Sequence, residues 1–513
     1  MRRLSKSRYT LFRQCPKALW LRTYKPEEAE EDESLQGRFE QGNVVGDLAM
    51  QLFGDFKEVT VKNEDDSLNL SKMIELTQQY MDESVENICE ASFNYEGNYC
   101  AVDILRKEKG GWAIYEVKST SFPEFNGAPS KLEKYVPDIA YQKWVLEKCC
   151  INVTGTYLVC LNSNYVRHGE LDVKQLFVQI DMAEYIQNEY LKVPVRVSQA
   201  SKVINDEIEP DTDLSEHCNK PYHCGFWTYC KNYHGVPSPS VFDVYGGSFK
   251  STKEDRLFMP RKLELYRAGK TSFEAIKDEP LGHVQRLQVE GKRYIDKNGI
   301  REFLKTLSYP LYFLDFETMQ DPIPQFDGAK VYAQITFQYS LHIKRDELSP
   351  YEHQDFLADS NGKDPRRALA EKLCKDIPQN VCTLAYNMAF ERGRIRELAA
   401  LYPDLSSHLL NIEANIKDLL DPFQSGYYYL PAMGGSFSIK KVLPALFPNE
   451  PSLNYHNLDE RVQNGGDAMT IFPRIKHMEP KEADATRKAL KEYCKLDTWA
   501  MVKVWEKLKE ISK

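Results

Sequence analysis

Residues Tyr312-Phe313-Leu314-Asp315-Phe316-Glu317-Thr318 read as a hydrophobic strand that carries two carboxylates two positions apart. In a strand, residues i and i+2 share a face, so Asp315 and Glu317 point one way while Leu314 and Phe316 point the other. Two adjacent carboxylates repel and are costly to bury unless a cation lies between them. Mg²⁺ or Mn²⁺ is the usual partner for oxygen ligands of this kind. An edge strand whose acids face water is the alternative, but the apolar residues on both faces favour a buried strand. Further acids follow along the chain. Ala385-Tyr386-Asn387-Met388-Ala389-Phe390-Glu391 comes after an apolar run, Val381 to Leu384, and opens a helix that continues to Leu401. Glu391 therefore lies near a strand-to-helix junction, where a side chain reaches a cleft at strand ends. Tyr493 and Asp497 are four apart in a helical pattern from about Pro480 to Leu508, and so share a helix face.

Together these segments resemble the DnaQ-like 3′→5′ exonucleases of the RNase H-like superfamily. That family carries Asp-x-Glu on its first strand, Asn-x-x-Phe-Asp in the middle and Tyr-x-x-x-Asp on a late helix. The matching residues are Asp315 and Glu317, then Asn387, Phe390 and Glu391, then Tyr493 and Asp497, within about residues 309–513. Glu391 stands where the family usually has Asp, with Asp418 as the fallback ligand. The resemblance implies an RNase H-like sheet whose Asp315, Glu317, Glu391 and Asp497 hold metal, with Tyr493 orienting a water. In such sites two ions roughly 3.5–4 Å apart activate water and stabilise the leaving oxygen of a phosphodiester.

The front half carries a second set of acids. Tyr99–Leu105 and Trp112–Lys118 are strand-like runs joined by a polar turn with Gly110-Gly111, which favours a hairpin. Glu116 and Lys118 share a face, and the hairpin brings Asp103 beside them. Two acids and a lysine at one point suit phosphodiester hydrolysis, the acids holding a divalent ion and Lys118 placing water or neutralising charge. The same spacing also suits a surface ion pair. Asp-x(n)-Glu-x-Lys is the core of the PD-(D/E)XK nucleases, and the segment resembles their RecB-like branch. That resemblance implies a catalytic set of Asp103, Glu116, Lys118 and Gln142, with metal on Asp103 and Glu116. Leu146 falls where the branch often has Tyr, and Gly46 where it usually has a metal-binding His, beside Asp47.

Twelve cysteines, with no secretory segment and no long apolar span, point to a reducing, cytoplasmic setting in which clustered cysteines bind metal. Cys218, Cys224 and Cys230 are spaced by five residues, and Cys15 is the natural fourth ligand. One early and three late cysteines around a RecB-like core resemble the iron–sulfur-stapled nucleases, which implies a [4Fe–4S] cluster on these four. Zn²⁺ is the alternative, with His217 or His223 able to replace a thiolate. Cys89, Cys100, Cys149, Cys150, Cys160, Cys374, Cys382 and Cys494 read as buried thiols in apolar contexts.

A chain of 513 residues is too long for one core. The segments expected are an α/β, RecB-like restriction-endonuclease-type nuclease fold at 1–235, a helical linker region at 236–308 and the RNase H-like exonuclease fold at 309–513. Gly269-Lys270-Thr271 lacks the upstream glycine of a phosphate-cradling loop, since Glu264 stands there, which excludes an ATPase of that kind. The net charge of −9 does not exclude a nucleic-acid partner. Metal-ligand acids and the solvated run Glu27 to Glu33 contribute to it, while Lys131, Lys134, Lys143, Lys440 and Lys441 can line a local groove. Tyr427-Tyr428-Tyr429 either packs or stacks on bases. The expected function is a metal-dependent DNA nuclease acting on ends or single strands, with no membrane association, working alone or beside a partner helicase or repair proteins. The alternatives are an exoribonuclease and a DNA-binding module with decayed sites.

Overall fold

The computed structural model describes residues 2–30, 35–123, 129–246 and 258–513; Glu31, Asp32 and Glu33 of the acidic run lie outside them. Two compact units emerge: Met1–Val236 with Asp321–Ala333, and Pro237–Gln320 with Gln334–Lys513. Both mix helices with sheets, so the chain is α/β. Among the described residues no helix is long and apolar enough to cross a membrane.

In the first unit β1 (Leu4–Ser5), β2 (Lys57–Glu58), β3 (Asn87–Tyr95), β4 (Asn98–Glu108), β5 (Gly111–Phe122), β6 (Val153–Asn162) and β7 (Phe177–Asp181) build one sheet. Its order is β2-β3-β4-β5-β6-β7, with β1 parallel to the start of β4. β3 and β4 are joined through Glu96 and Gly97, both with positive φ, as a tight hairpin requires. β5 and β6 are parallel and so need a long crossover, which the helix Val136–Lys148 supplies. That helix packs Ile139, Tyr141 and Trp144 against Val102, Ile114 and Leu158 on one face of the sheet. On the other face Val45 and Ala49 meet Ile104, Ala113 and Val159. Facing along β3 reverses at Glu90, whose φ is +57°: Cys89 packs on one side, Ile88 and Ala91 on the other. α1 (Lys6–Gln14) follows β1 directly, so Lys6 starts a helix beside the acidic middle of β4. Asp321–Ala333 joins this unit because Ile323 and Val331 are buried in its core and Arg167 exchanges backbone bonds with Ala329 and Gly328.

The second unit contains β8 (Tyr294–Ile295), β9 (Leu311–Gln320), β10 (Gln334–Lys344), β11 (Tyr351–Leu357), β12 (Cys382–Ala385), β13 (Ile416–Asp418) and β14 (Tyr428–Tyr429). The main sheet runs β11-β10-β9-β12-β13; β9, β10 and β11 are antiparallel, and β12 and β13 are parallel to β9. β9 is thus the central strand, so its acids are not those of a solvated edge. Tyr312, Leu314 and Phe316 enter the core on one face. The helix Pro480–Ser512 lies across the other, anchored by Gln338 Nε2 to Leu490 O at 2.9 Å and Ser340 to Thr498 at 2.7 Å. Residues 237–308 are part of this unit rather than a separate linker. β8 pairs with β14, and Arg301 Nε donates to Ser512 O at 2.7 Å. Tyr428 and Tyr429 are buried and pack instead of presenting rings to bases.

Candidate functional site

β12 pairs with β9 only as far as Leu384 opposite Phe313, and the strand ends one residue later, at Ala385. Asp315 and Glu317 therefore border a gap on that side, and the helix Ala389–Leu401 places Glu391 in its first turn there. From the face above, the long C-terminal helix brings Tyr493, Cys494 and Asp497 to the same two acids. Burial, then the charges of Asp497, Glu317 and Glu391, push the Asp315 carboxyl well up. Glu317 rises for the same reasons, with the Lys440 ammonium opposing. Burial pushes Asp497 up to about 6, although hydrogen bonds from Tyr455 and Tyr493 hold it down. Glu391 reaches about 8 through burial and the charge of Asp418, and its buried Oε2 has no hydrogen-bond partner. Glu317, Glu391 and Asp497 are buried and Asp315 is half-buried; burial raises all four, and at Asp315 and Glu317 the neighbouring acids add to it.

Three neighbours escape sequence reasoning. Tyr455 donates to Asp497 Oδ1 at 2.6 Å and is buried. Gly465 leaves room near Glu317 and Tyr493; a Cβ there would lie 3.7 Å from Glu317 Oε2. Cys494, expected in an apolar context, instead sits with its sulfur 3.9 Å from Asp315 Oδ2. Asp315, Glu317 and Cys494 offer ligand atoms all within 4.8 Å of one another. Burial and the adjacent carboxylates hold the Cys494 thiol well above its usual range, so it is a protonated donor to Asp315 and a poor ligand for a hard ion.

The fallback ligand Asp418 has a different task. Its oxygens accept from the backbone N–H groups of Asn387 (2.9 Å), Met388 (3.1 Å) and Leu420 (3.0 Å). These bonds brace the turn at Asn387, whose φ of +70° suits an Asn. Asp418→Ala should therefore cost about 2 kcal/mol, because two partly buried donors and one exposed donor lose a charged acceptor. Urea unfolding followed in the C-terminal unit checks this; a loss well under 1 kcal/mol would return Asp418 to the list of free ligands.

In the first unit Asp103, Glu116, Lys118 and Gln142 do converge. Asp103 Oδ2 accepts from Val117 N at 2.6 Å. Gln142 Nε2 donates to Glu116 Oε2 at 2.7 Å and to Asp138 Oδ1 at 3.0 Å. Lys118 pairs with Glu116 and with Asp138 at 2.9 Å. The sequence reading passed over Asp138, Glu90 and Lys6. Asp138 is four residues before Gln142 on one helix, a spacing that could have exposed it. Burial and the charge of Asp103 push Glu90 up to about 8. Lys6 Nζ lies 3.0 and 3.1 Å from the two oxygens of Glu116 and 3.8 Å from Asp103 Oδ1. Burial alone would lower its ammonium, but Asp138, Glu116 and Asp103 together hold it well above the usual lysine range. Gly46 and Asp47 lie on α3 (Leu35–Ala49), where a Cβ at Gly46 would meet nothing.

Cys15, Cys218, Cys224 and Cys230 line one small cavity together with His217. Cys15 stands at the N-terminus of α2 (Pro16–Tyr24) without a side-chain cap bond; burial raises its thiol, and the backbone dipoles of Ala18 and Lys17 oppose that rise. At Cys218 and Cys224 the backbone of Ser215 and of Phe226 likewise opposes the rise caused by burial. Burial pushes Cys224 to about 11 and Cys230 to about 12. The nearby ammonium of Lys17, itself buried and 3.0 Å from Glu209, opposes that rise at Cys230. His223 is exposed, bonding Asn219 and facing Glu30, and does not line the cavity. Of the other eight cysteines, Cys150 is exposed, and Cys149 and Cys374 are half-buried, contrary to expectation. A groove of about 1030 Å³ runs past this region, lined by Arg8, Arg13, Arg22, Lys131, Lys134 and Lys220 against one acid, Glu133.

Residues 312–438 match the family described as Domain of unknown function (DUF2779). The match takes in Asp315, Glu317 and Glu391 and ends before Tyr493 and Asp497. A protein of Mycoplasma genitalium described as uncharacterized is 25% identical over 209 residues. The alignment covers 37% of this chain and 31% of that protein, so the chain spans about a third of the relative's length. Neither description names an activity.

Proposed function

We propose that the C-terminal unit is a metal-dependent 3′→5′ exonuclease of RNase H-like fold that acts on DNA ends or single strands, in cytoplasmic DNA repair or defence against foreign DNA. The convergence of Asp315, Glu317, Glu391 and Asp497 on the gap beside β9 carries the reading. The donor set is all carboxylate oxygen, which fits Mg²⁺ or Mn²⁺, and the unpartnered Glu391 Oε2 is the orphan such an ion would satisfy. Held by these carboxylates, such an ion would supply charge neutralisation for a phosphate and a more acidic water. The chain's own groups do the rest. Tyr493 and Tyr455 keep their protons and fix the Asp497 carboxylate by donating to it. Lys440 lies 5.5 and 5.7 Å from the Tyr455 and Tyr493 ring centres, placed to meet a phosphate at the mouth of the site. The basic groove of the first unit suits the same polyanionic partner.

The cysteine cavity is assigned to a [4Fe–4S] cluster that ties α1 and α2 to the 218–230 segment. The shared cavity of the four thiols and the buried Lys17 beside it suit an anionic group. Zn²⁺ on the same four sulfurs is the alternative, and metal analysis separates the two.

Metal and protons should compete in the C-terminal unit. The acids' folded pKa values lie above the unfolded value of about 4. Their stabilising contribution is therefore full below about pH 4 and is lost as pH rises through about 6 for Asp497 and about 8 for Glu391. Thermal unfolding in chelator should show this unit weakening across that window, with Mn²⁺ raising its midpoint more at pH 8 than at pH 5.5. A Mn²⁺ effect independent of pH would argue against ligation by these carboxyls.

Activity is tested with 5′- and 3′-labelled single-stranded DNA and RNA in Mn²⁺ or Mg²⁺. A descending ladder from 5′-labelled DNA and early release of mononucleotide from 3′-labelled DNA are expected. The same pattern on RNA alone would transfer the proposal to exoribonuclease action, and no metal-dependent cleavage of either would refute it.

A further inference from the structure

The acidic cluster of the first unit has the carboxylates for a divalent ion, yet the space between them is taken. Lys6 Nζ faces both oxygens of Glu116 at 3.0 and 3.1 Å, Ala101 O at 3.5 Å, Asp103 Oδ1 at 3.8 Å and Asp138 Oδ1 at 3.9 Å. Five oxygens from four residues thus surround one ammonium, the arrangement a hard cation would require. Glu116 is fully buried, so its charge cannot be left to solvent. Lys118 and Gln142 bond the remaining edges of Glu116 and Asp138, which closes the ring. Lys6 is held there by the fold and not by chance extension. β1 pairs with β4 at Asn98 and Tyr99, and α1 begins with Lys6 itself. A divalent ion bonding Asp103 and Glu116 together would have to expel an ammonium already paired with a buried carboxylate.

We infer that Lys6 is the resident cation of this cluster, so that the N-terminal site holds no divalent ion in its place and substituting Lys6 by an uncharged residue would create a divalent-cation site. No hydrolytic step through a metal at Asp103 and Glu116 follows. The inference concerns a separate cluster from the proposed exonuclease centre and survives or fails without it.

Mn²⁺ binding by equilibrium dialysis of the full chain tests this, the site being defined as Mn²⁺ lost on Glu116→Gln. The unsubstituted chain should lose no Mn²⁺ on Glu116→Gln. Lys6→Met should gain about one Mn²⁺ per chain, lost again in Lys6→Met with Glu116→Gln, and Mn²⁺ should raise the unfolding midpoint of its N-terminal unit. Lys6→Arg should gain none. The unsubstituted protein needs no variant fold at Lys6 to speak: if it binds Mn²⁺ that Glu116→Gln abolishes, the inference is overturned. A folded Lys6→Met protein that gains no Mn²⁺ overturns it as well.

Discussion

Asp315→Asn is expected to reduce metal-dependent trimming by about 10²-fold or more, the scale seen when one preorganised electrostatic group is removed. The substitution is nearly isosteric, so the central strand keeps its pairing to β10 and β12. What it removes is a charge that Asp497, Glu317 and Glu391 already oppose. The metal-free protein should therefore become no less stable, and its stability should depend less on pH. That pairing of lost activity with unharmed folding separates a metal ligand from a structural acid, because Asp418→Ala should do the reverse. Lys118→Ala should leave trimming unchanged, since Lys118 belongs to the lysine-filled cluster of the other unit. Rates on 5′-labelled DNA at saturating Mn²⁺ provide the comparison. If Lys118→Ala stops cleavage while Asp315→Asn does not, the catalytic assignment is reversed.

The second large effect concerns the cysteines. Protein purified without oxygen should be brown, and Cys224→Ser should bleach it and destabilise the N-terminal unit. Cys15 and Cys218 stand about 200 residues apart, and a link closing a loop of that length is worth about 5 kcal/mol on the chain-entropy scale. Absorbance near the iron–sulfur charge-transfer band, iron content and the unfolding midpoint check this together. Colourless protein with stoichiometric zinc would replace the cluster by a zinc staple; metal-free protein of unchanged stability would remove the staple altogether.

The parts of both sites that were legible in the sequence are those set by local periodicity. Asp315 and Glu317 share a strand face, Tyr493 and Asp497 a helix face, and Asp103, Glu116 and Lys118 one hairpin, so short-range rules suffice. Glu391 was placed by its junction between an apolar run and a helix. The residues that were missed arrive through long-range closure. Lys6 reaches Glu116 across 110 residues, and Tyr455 reaches Asp497 across 42. Neither carries a local mark, because a lysine opening a helix and a tyrosine in a polar segment are ordinary. Glu90 depends on a positive φ inside a strand, which no propensity for Glu indicates. Cys494 is buried as its sequence suggests, but its partner is the carboxylate of Asp315 and not an apolar core, a contact made across 179 residues. The division of the chain was readable at the Pro-rich break near Val236. The return of Asp321–Ala333 to the first unit was not, since it rests on Ile323 and Val331 finding a core laid down some 150 residues earlier.

Under the proposed function the working metal belongs to one acid cluster and an ammonium to the other. Anomalous scattering at the manganese edge, from crystals equilibrated with Mn²⁺, reads both at once. A peak among Asp315, Glu317 and Asp497, with none between Asp103 and Glu116, is the predicted result; a peak between Asp103 and Glu116 with none at Asp315 would contradict it.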